Sequence, residues 1–335
     1  MDLFQRILRP KGLQTRANPA CTTRNTAFAN RQWRTGPICR MLGRMDASEH
    51  RLPRSYLFVP ADRPERIDKA LTSGADAVIV DLEDAVAPGA KSTAREALVS
   101  WLKQRGGGPA ATDATQPQSE PARQPALLVR VNATSTAWFE DDLQACAHPA
   151  IQGLVLPKAE RVDELARVTA ALPGRALLPL VETAAGMDCA RALAGAPGVQ
   201  SLVFGSLDFQ ADLDIEDDGD TLLLFRSHLV WMSRLAGIAA PVDGVTTNLQ
   251  DPAATAADAR RARALGFGAK LCIHPRQVQA VHEAFMPSAD QLDWAQRVLA
   301  AAQAAGGSAV AVDGKMVDAP VLLRARTLLE RAGQV

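Results

Sequence analysis

Two stretches decide the fold: Ala-Leu-Leu-Pro-Leu-Val-Glu182-Thr at residues 176–183 and Ser-Leu-Val-Phe-Gly-Ser-Leu-Asp208 at residues 201–208. Each is a short apolar run that reaches an acidic residue at its end, which is typical of a buried strand. Two carboxylates at the ends of neighbouring buried strands can hold a hard divalent cation and leave positions open for a substrate. Glu182 and Asp208 are therefore the first candidate metal ligands.

The other apolar runs predict the scaffold around these two strands. Six more runs rich in Leu, Val and Ile are bounded by Gly, Pro or Asp, at residues 55–60, 76–81, 126–132, 153–158, 240–245 and 269–275. Stretches of helical period lie between most of the runs, at residues 64–73, 159–172, 184–194, 222–235 and 253–265. Eight strands that alternate with helices predict an α/β protein with a parallel (β/α)8 TIM barrel.

A doubly wound open sheet is the alternative scaffold for the same alternation of strands and helices. The dinucleotide-binding version of that sheet has a G-x-G-x-x-G turn after a strand. No such turn follows any of the predicted strands. The barrel is therefore the favoured fold.

In a barrel the strands end at one face, so the residues that follow them form one rim. The predicted rim mixes six acidic residues with two basic residues, an asparagine and a histidine: Asp81, Glu83, Asp84, Arg130, Asn132, Lys158, Glu182, Asp208, Asp243 and His274. This mixture of charges suits an anionic substrate held by a metal ion.

Some rim residues have a purely structural explanation. Asp81, Glu83 and Asp84 serve equally well as helix caps or ion-pair partners, because Asp is common at an N-cap. A structural role is the favoured interpretation for three others, Lys158, Asp243 and His274. Arg130 differs, because it lies inside the apolar run Leu-Leu-Val-Arg130-Val-Asn, where a charge is costly unless it meets an anion.

Several blocks of sequence occur together in one known family. They are Arg54-Ser-Tyr-Leu-Phe-Val-Pro-Ala, Asp76-Ala-Val-Ile-Val-Asp-Leu-Glu-Asp-Ala-Val, Val129-Arg-Val-Asn, Leu156-Pro-Lys, Val181-Glu-Thr-Ala-Ala-Gly, Phe204-Gly-Ser-Leu-Asp, Ile273-His-Pro and Asp313-Gly-Lys-Met-Val-Asp-Ala-Pro. In this order, over about residues 54 to 330, the chain resembles the HpcH/HpaI aldolase and citrate lyase family, and within it the acyl-CoA lyases of the citrate lyase β-subunit type.

The resemblance implies roles for individual residues. The residues matching Glu182 and Asp208 bind Mg²⁺ in that family, and the arginine matching Arg130 contacts the substrate. The aspartate matching Asp318 lies on a C-terminal lid that closes over a neighbouring subunit, which implies a homo-oligomer, a trimer or hexamer. One departure is Phe209, where many relatives have a tyrosine.

The resemblance also implies a reaction, the cleavage of a 3-hydroxyacyl-CoA thioester such as citramalyl-CoA, malyl-CoA or citryl-CoA into a keto acid and acetyl-CoA. Mg²⁺ would act as a Lewis acid, Arg130 would stabilise the enolate, and Asp318 would exchange a proton with the enolate carbon. Asp81, Glu83 and Asp84 would orient Arg130 and the metal waters. The amides of Ala184 and Gly186, at a helix N-terminus, would bind the carboxylate of the keto acid.

Two other activities fit the same residues. A water molecule at the metal would make the chain a malyl-CoA thioesterase. A citrate lyase β-subunit would instead act on an acyl-carrier-protein thioester together with partner chains. A CoA thioester and a carrier-bound thioester present the same pantetheine arm, so the residues do not separate these substrates.

Composition limits the compartment and the partners. The chain has 335 residues, a formal charge of zero, and five cysteines without a C-x-x-C pair, which predicts reduced thiols in a cytoplasmic or matrix-like compartment. No apolar run is long enough to span a membrane, and the body of the chain, beyond residue 50, is slightly acidic, which argues against nucleic-acid binding. The compartment is predicted to be cytoplasmic, or an organellar matrix if the basic leader at residues 1–50 is a transit peptide.

The sequence predicts four segments. Residues 1–50 form the leader, residues 51–285 the barrel, and residues 286–335 a C-terminal lid. Within the barrel, residues 104–124 contain almost no large apolar residue and are predicted to be a disordered insert. The lid is predicted to contain a helix at 288–305, an extended hairpin at 309–317 and a helix at 320–332.

Overall fold

The computed structural model describes residues 52–105, 124–305 and 310–333. The predicted leader and most of the predicted insert, residues 106–123, lie outside the described residues. The first part of the insert prediction is wrong, because Gln104 and Arg105 belong to the preceding helix, which ends at Arg105.

Eight parallel strands form a closed barrel in sequence order, with β8 paired to β1. The strands are β1 (Ser55–Pro60), β2 (Ala77–Asp81), β3 (Ala126–Arg130), β4 (Gly153–Leu156), β5 (Ala176–Val181), β6 (Val203–Phe204), β7 (Val242–Asp243) and β8 (Ala269–Cys272). The TIM-barrel prediction is confirmed. Strand β1 has the predicted bounds, and the other observed strands are shorter than predicted, mostly at their carboxyl ends, because the chain turns there into the loops that form the rim.

Alternation along the strands builds two separate apolar layers. Inside the barrel, Tyr56, Ile79, Leu128, Leu178 and Leu271 belong to one cluster of buried side chains. Their sequence neighbours on the strands, such as Leu57 and Val78, belong to a larger cluster between the barrel and the helices. The strands are therefore buried on both faces, which explains why their sequences are continuously apolar.

The barrel helices are α1 (Pro64–Leu71), α2 (Lys91–Arg105), α3 (Phe139–Ala145), α4 (Val162–Ala171), α5 (Ala184–Asp188), α6 (Ala190–Ala194), α7 (Ser206–Leu213), α8 (Leu223–Ala236), α9 (Pro252–Leu265) and α10 (Arg276–Phe285). The helix predicted at residues 184–194 is two short helices, which meet at Cys189. No helix within the described ranges has the length and apolar character of a membrane span.

The C-terminal extension has a small core of its own. It consists of α11 (Ala289–Ala304), the antiparallel hairpin β9 (Val310–Val312) and β10 (Lys315–Val317), and α12 (Ala319–Arg331). Ala295 and Val298 of α11 pack against Ala325, Leu328 and Leu329 of α12. A capping box at Ser288 starts α11, where the Ser288 hydroxyl accepts from the Gln291 amide.

Candidate active site

A cavity of about 400 Å³ lies at the carboxyl ends of the barrel strands. Its walls combine apolar and ionisable side chains, among them Phe58, Leu180, Leu271, Arg130, Glu182 and Asp208. The strands bring these residues together because each charged residue either ends a strand or follows one closely. Sites of TIM-barrel enzymes lie at this face.

Glu182 follows β5 directly and is almost fully buried, with 2% of its surface exposed. Its Oε1 accepts a hydrogen bond of 2.8 Å from the backbone N–H of Lys158. Burial raises the pKa of Glu182 to about 8, and the nearby carboxylates of Glu83 and Asp208 add to the rise. A buried carboxylate surrounded by like charges favours a bound cation or proton.

Asp208 does not end a strand, so that part of the prediction is wrong. Strand β6 ends at Phe204, and Asp208 lies in the first turn of α7, which begins at Ser206. Asp208 is exposed and lines the same cavity as Glu182. The helix starts immediately after the strand, so the two carboxylates still face one cavity.

Gly205, between β6 and α7, gives Glu182 its space. A Cβ atom at position 205 would lie 2.5 Å from Glu182 Cβ and 2.6 Å from Glu182 Oε2. The sequence reasoning did not identify Gly205. The available signal was its place in Phe204-Gly-Ser-Leu-Asp, directly after the last residue of a strand.

Arg130 ends β3 and meets carboxylates of its own chain. Its Nε and Nη2 donate to the two oxygens of Asp81 at 2.8 and 2.6 Å, and its Nη1 lies 3.1 Å from Glu83 Oε2 and 3.3 Å from Asp84 Oδ2. The guanidinium carbon lies 4.8 Å from the ring centroid of Phe58. Bidentate pairing and stacking fix the guanidinium plane at the cavity wall.

The three acids after β2 differ in their surroundings. Asp81 is buried, and its two oxygens also accept from the amides of Glu83 and Ala85, which shapes the turn. Glu83 is buried, and burial raises its pKa, with Asp84 adding to the rise and Arg130 and Lys158 opposing it. Asp84 is exposed. All three acids contact Arg130 and therefore orient its guanidinium, in addition to any role as a helix cap or near the metal.

Lys158 contacts both Glu182, which follows β5, and Glu83, which follows β2. Its amide binds Glu182, and its Nζ lies 3.2 Å from Glu83 Oε1. Neither Lys158 nor Glu83 lines the cavity itself, and the remaining rim candidates do not line it either. Asn132 donates to Asp142 Oδ2 and Leu82 O, Asp243 pairs with Arg226 and Lys270, and His274 Nδ1 accepts from the Arg276 amide.

The amides proposed to bind a carboxylate already have acceptors. The N–H of Ala184 donates to Asp212 Oδ2 at 2.7 Å, and the N–H of Gly186 donates to Thr183 Oγ1 at 3.1 Å. Gly186 also packs closely, since a Cβ there would lie 2.7 Å from the carbonyl oxygen of Ala159. The structure therefore gives both residues a structural role, and binding by Ala184 and Gly186 stays a prediction that requires these bonds to open.

Asp318 caps the last helix. Its Oδ1 accepts from the Val321 amide at 3.1 Å, its side chain is exposed, and it does not line the cavity. A catalytic role for Asp318 therefore requires a second copy of the chain or a movement of the extension.

Phe209, the predicted departure from the family pattern, is a packing residue. Its ring is fully buried, 5.5 Å from the centroid of Phe204 and 4.7 Å from that of Phe225, with edge-to-face geometry. An aromatic cluster of this kind has no place for an unpaired hydroxyl. Phe209 therefore contributes to the aromatic packing next to Asp208.

The donors fit a magnesium ion. Within the ranges that the structure describes, no group of three or more His, Cys, Asp or Glu side chains has the arrangement of a closed metal site. Mg²⁺ is commonly bound by one or two carboxylates and keeps several waters or substrate oxygens. Glu182 and Asp208, with an excess of negative charge around Glu182, match this open type of site.

The fold and the acidic, open cavity define a TIM-barrel protein with a cation site at its mouth. A model of the HpcH/HpaI aldolase/citrate lyase family matches residues 54–275. The chain belongs to this family. The match covers all eight strands and every cavity residue named above.

Three similar proteins illustrate the family. A citrate lyase subunit beta-like protein of Deinococcus radiodurans is 41% identical over 290 residues, which are 83% of this chain and 96% of that protein. A (3S)-malyl-CoA thioesterase of Cereibacter sphaeroides is 32% identical, over 83% of this chain and 94% of that protein. The crystal structure of CitE from Mycobacterium tuberculosis, in complex with magnesium, acetoacetate and coenzyme A, has a TM-score of 0.70 and 36% identity, over 84% of this chain and 98% of that chain.

Proposed function

We propose that this protein is a Mg²⁺-dependent carbon–carbon lyase that cleaves a 3-hydroxyacyl-CoA thioester bearing a carboxylate into a keto acid and acetyl-CoA. Citramalyl-CoA, malyl-CoA and citryl-CoA are the candidate substrates. The observation that carries the proposal is the cavity that joins Glu182, Asp208 and Arg130. The complex of the related CitE with magnesium and coenzyme A supports it.

In this proposal Glu182 and Asp208 hold the magnesium ion, which supplies Lewis-acid polarisation of the substrate's hydroxyl and carboxylate oxygens when bound. Arg130 donates to the thioester oxygen, where negative charge develops as the carbon–carbon bond breaks. Asp81 and Glu83 hold the guanidinium in place for this contact. The apolar wall of Phe58, Leu180 and Leu271 limits water near the enolate.

The enolate carbon then needs a proton. We propose that Asp318 delivers it from the C-terminal extension of a second copy of the chain, because Asp318 does not line the cavity of its own chain. The active protein would then be a homo-oligomer, a trimer or a hexamer. An active monomer in a light-scattering measurement would contradict this part of the proposal.

A thioesterase is the second candidate. It is favoured by the 32% identical relative from Cereibacter sphaeroides, named (3S)-malyl-CoA thioesterase. Hydrolysis of malyl-CoA would yield malate and free CoA, whereas the lyase yields a keto acid and acetyl-CoA. A substrate carried by an acyl carrier protein, as for a citrate lyase β-subunit, is the third.

We also propose a cytoplasmic location, or an organellar matrix if the basic leader is a transit peptide. The three described cysteines, Cys146, Cys189 and Cys272, are free thiols, in keeping with a reducing compartment. Fractionation of cells that produce the full chain would test the location.

The function is tested by a coupled assay on the purified full chain with Mg²⁺. Citramalyl-CoA, malyl-CoA and citryl-CoA are offered separately, and keto acid, acetyl-CoA and free CoA are followed. We expect keto acid and acetyl-CoA in equal amounts from one substrate, with at least about a thousandfold loss in Glu182→Ala and Asp208→Ala. Free CoA without keto acid would favour the thioesterase, and no product from any substrate would favour a carrier-bound thioester.

A further inference from the structure

Lys158 has a backbone conformation that is unusual for its residue type. Its φ of 48° lies in the left-handed region, which β-carbon clashes make costly for most residues other than glycine. It follows Pro157, at a turn position where glycine or asparagine is the usual left-handed residue. A lysine at this place suggests that its backbone conformation and its side chain each make a contact that the site needs.

The left-handed turn directs two successive amides toward β5. The N–H of Lys158 donates to Glu182 Oε1 at 2.8 Å, and the N–H of Ala159 donates to the Leu180 carbonyl at 3.2 Å. The Lys158 amide therefore holds the Glu182 carboxylate, while the Ala159 amide continues the pairing of the chain with β5.

The side chain of Lys158 reaches the acidic residues that follow β2. Its Nζ lies 3.2 Å from Glu83 Oε1, while Glu83 Oε2 lies 3.1 Å from Arg130 Nη1. About half of the lysine side chain is exposed, so the ammonium lies at the edge of the site rather than in the core. Lys158 thus links Glu182 to Glu83, and through Glu83 to Arg130.

We propose that Lys158 is a positioning residue whose left-handed backbone fixes the orientation of the Glu182 carboxylate for metal binding. The inference rests on the proposed role of Glu182 as a metal ligand. It assigns to Lys158 no contact with the substrate. Replacing a residue that orients a metal ligand typically lowers the metal affinity by 10- to 100-fold.

The test compares four variants that all lack the ammonium group: Lys158→Gly, Lys158→Asn, Lys158→Ala and Lys158→Val. Because the charge change is the same in all four, differences among them report only the tolerance of the left-handed conformation, which falls from Gly and Asn to Ala and then to Val. The Mg²⁺ dissociation constant of the purified full chain is measured by calorimetry without substrate. We expect equal affinity for the Gly and Asn variants, and at least tenfold weaker binding for Val than for Gly.

Asp313→Val is the matched control, since Asp313 has a φ of 51° in the turn between β9 and β10 and does not line the cavity. It should lower the melting temperature and leave the Mg²⁺ dissociation constant unchanged. Equal affinity in all four Lys158 variants would overturn the proposal, and if the Val variant does not fold, the Ala and Asn variants make the same comparison. Wild-type protein that binds Mg²⁺ but cleaves none of the thioesters would overturn only the proposed function, whereas wild-type protein that binds no Mg²⁺ would overturn both.

Discussion

Two clusters of charged side chains are built on the same barrel, and they differ in their balance of charge. The rim cluster contains five carboxylates and two cationic groups: Asp81, Glu83, Asp84, Glu182, Asp208, Arg130 and Lys158. The interior cluster, between the barrel and the outer helices, contains three of each: Asp218, Asp243, Asp258, Arg226, Arg261 and Lys270. Five members of the rim cluster line the cavity, namely Asp81, Asp84, Arg130, Glu182 and Asp208, and no member of the interior cluster does.

The balance of charge explains why the pKa values of two buried acids, Asp243 and Glu182, shift in opposite directions. Burial works to raise the pKa of Asp243, but Lys270 and Arg226 together outweigh it and the pKa is lowered. Burial raises the pKa of Glu182 to about 8, and further carboxylates add to the rise. Asp243 is compensated by cationic groups of its own chain, whereas Glu182 is compensated, in the proposed function, by an added metal ion. A buried charge therefore indicates function when the surrounding chain leaves it uncompensated.

The largest expected effect is on the interior cluster. Asp243→Asn leaves Arg226 and Lys270 buried without their shared anion, and we expect it to lower the free energy of unfolding by about 3–5 kcal/mol. Glu182→Gln removes an uncompensated charge, so we expect the metal-free protein at pH 8 to be at least as stable as the wild type. Urea unfolding without Mg²⁺ measures both. An equal loss of stability in the two variants would break the comparison.

The pH dependence of stability sharpens the same contrast. The pKa of Glu182 is higher in the folded protein, at about 8, than in the unfolded chain, at about 4.5, so its contribution to stability is fully present below pH 4.5 and is lost as the pH rises through 8. We expect a loss on the order of 3 kcal/mol for the metal-free wild type relative to Glu182→Gln. Unfolding measured from pH 5 to 8.5 with and without Mg²⁺ tests this. Saturating Mg²⁺ should remove the loss, and parallel curves for the two proteins without metal would contradict it.

The fold could be predicted almost completely, because burial of the strands on both faces makes each one a continuous apolar run. The ends of the strands could not. Residues 201–208 form one apolar run in the sequence, but the chain leaves the sheet at Gly205, and Asp208 lies on a helix. Hydrophobic character does not distinguish the last residues of a buried strand from the first turn of a helix that follows it.

The sequence predicted which residues form the site better than it predicted the contacts that they make. The apolar surroundings of Arg130 indicate correctly that it needs an anion, yet the sequence cannot tell a substrate from Asp81, which meets it in the structure. The amides of Ala184 and Gly186 form a helix start, but Asp212 and Thr183 occupy them, and Asp212 is distant in sequence. Nothing in the residue type of Lys158 signals a left-handed backbone.

The two arginines allow a matched substitution. Arg130→Lys and Arg226→Lys both keep the charge and lose the planar set of donors. In Arg130 these donors pair with both oxygens of Asp81, and in Arg226 they bridge Asp243 and Asp218. We expect Arg130→Lys to lower kcat by about 10- to 100-fold, because a lysine cannot keep both the Asp81 contacts and a donor for the developing enolate. Arg226→Lys should lower the melting temperature and leave kcat unchanged, since Arg226 does not line the cavity. Loss of kcat in Arg226→Lys at a temperature where it is folded would show that the clusters are coupled.

The smallest expected effect comes from one added methyl group beside Glu182. Gly205 has a negative φ, so alanine is compatible with the backbone there. Its Cβ would lie 2.5 Å from Glu182 Cβ and 2.6 Å from Glu182 Oε2, so the Glu182 backbone and its carboxylate must both shift. We expect Gly205→Ala to weaken Mg²⁺ binding by about tenfold, measured by calorimetry without substrate. Gly89→Ala is the control, because an added Cβ there has nothing within 4 Å. In the interior cluster the acids are held by ion pairs, whereas in the rim cluster the absence of a side chain at Gly205 determines where the Glu182 carboxylate lies. Unchanged Mg²⁺ affinity in Gly205→Ala would therefore mean that Glu182 can bind the ion from more than one position.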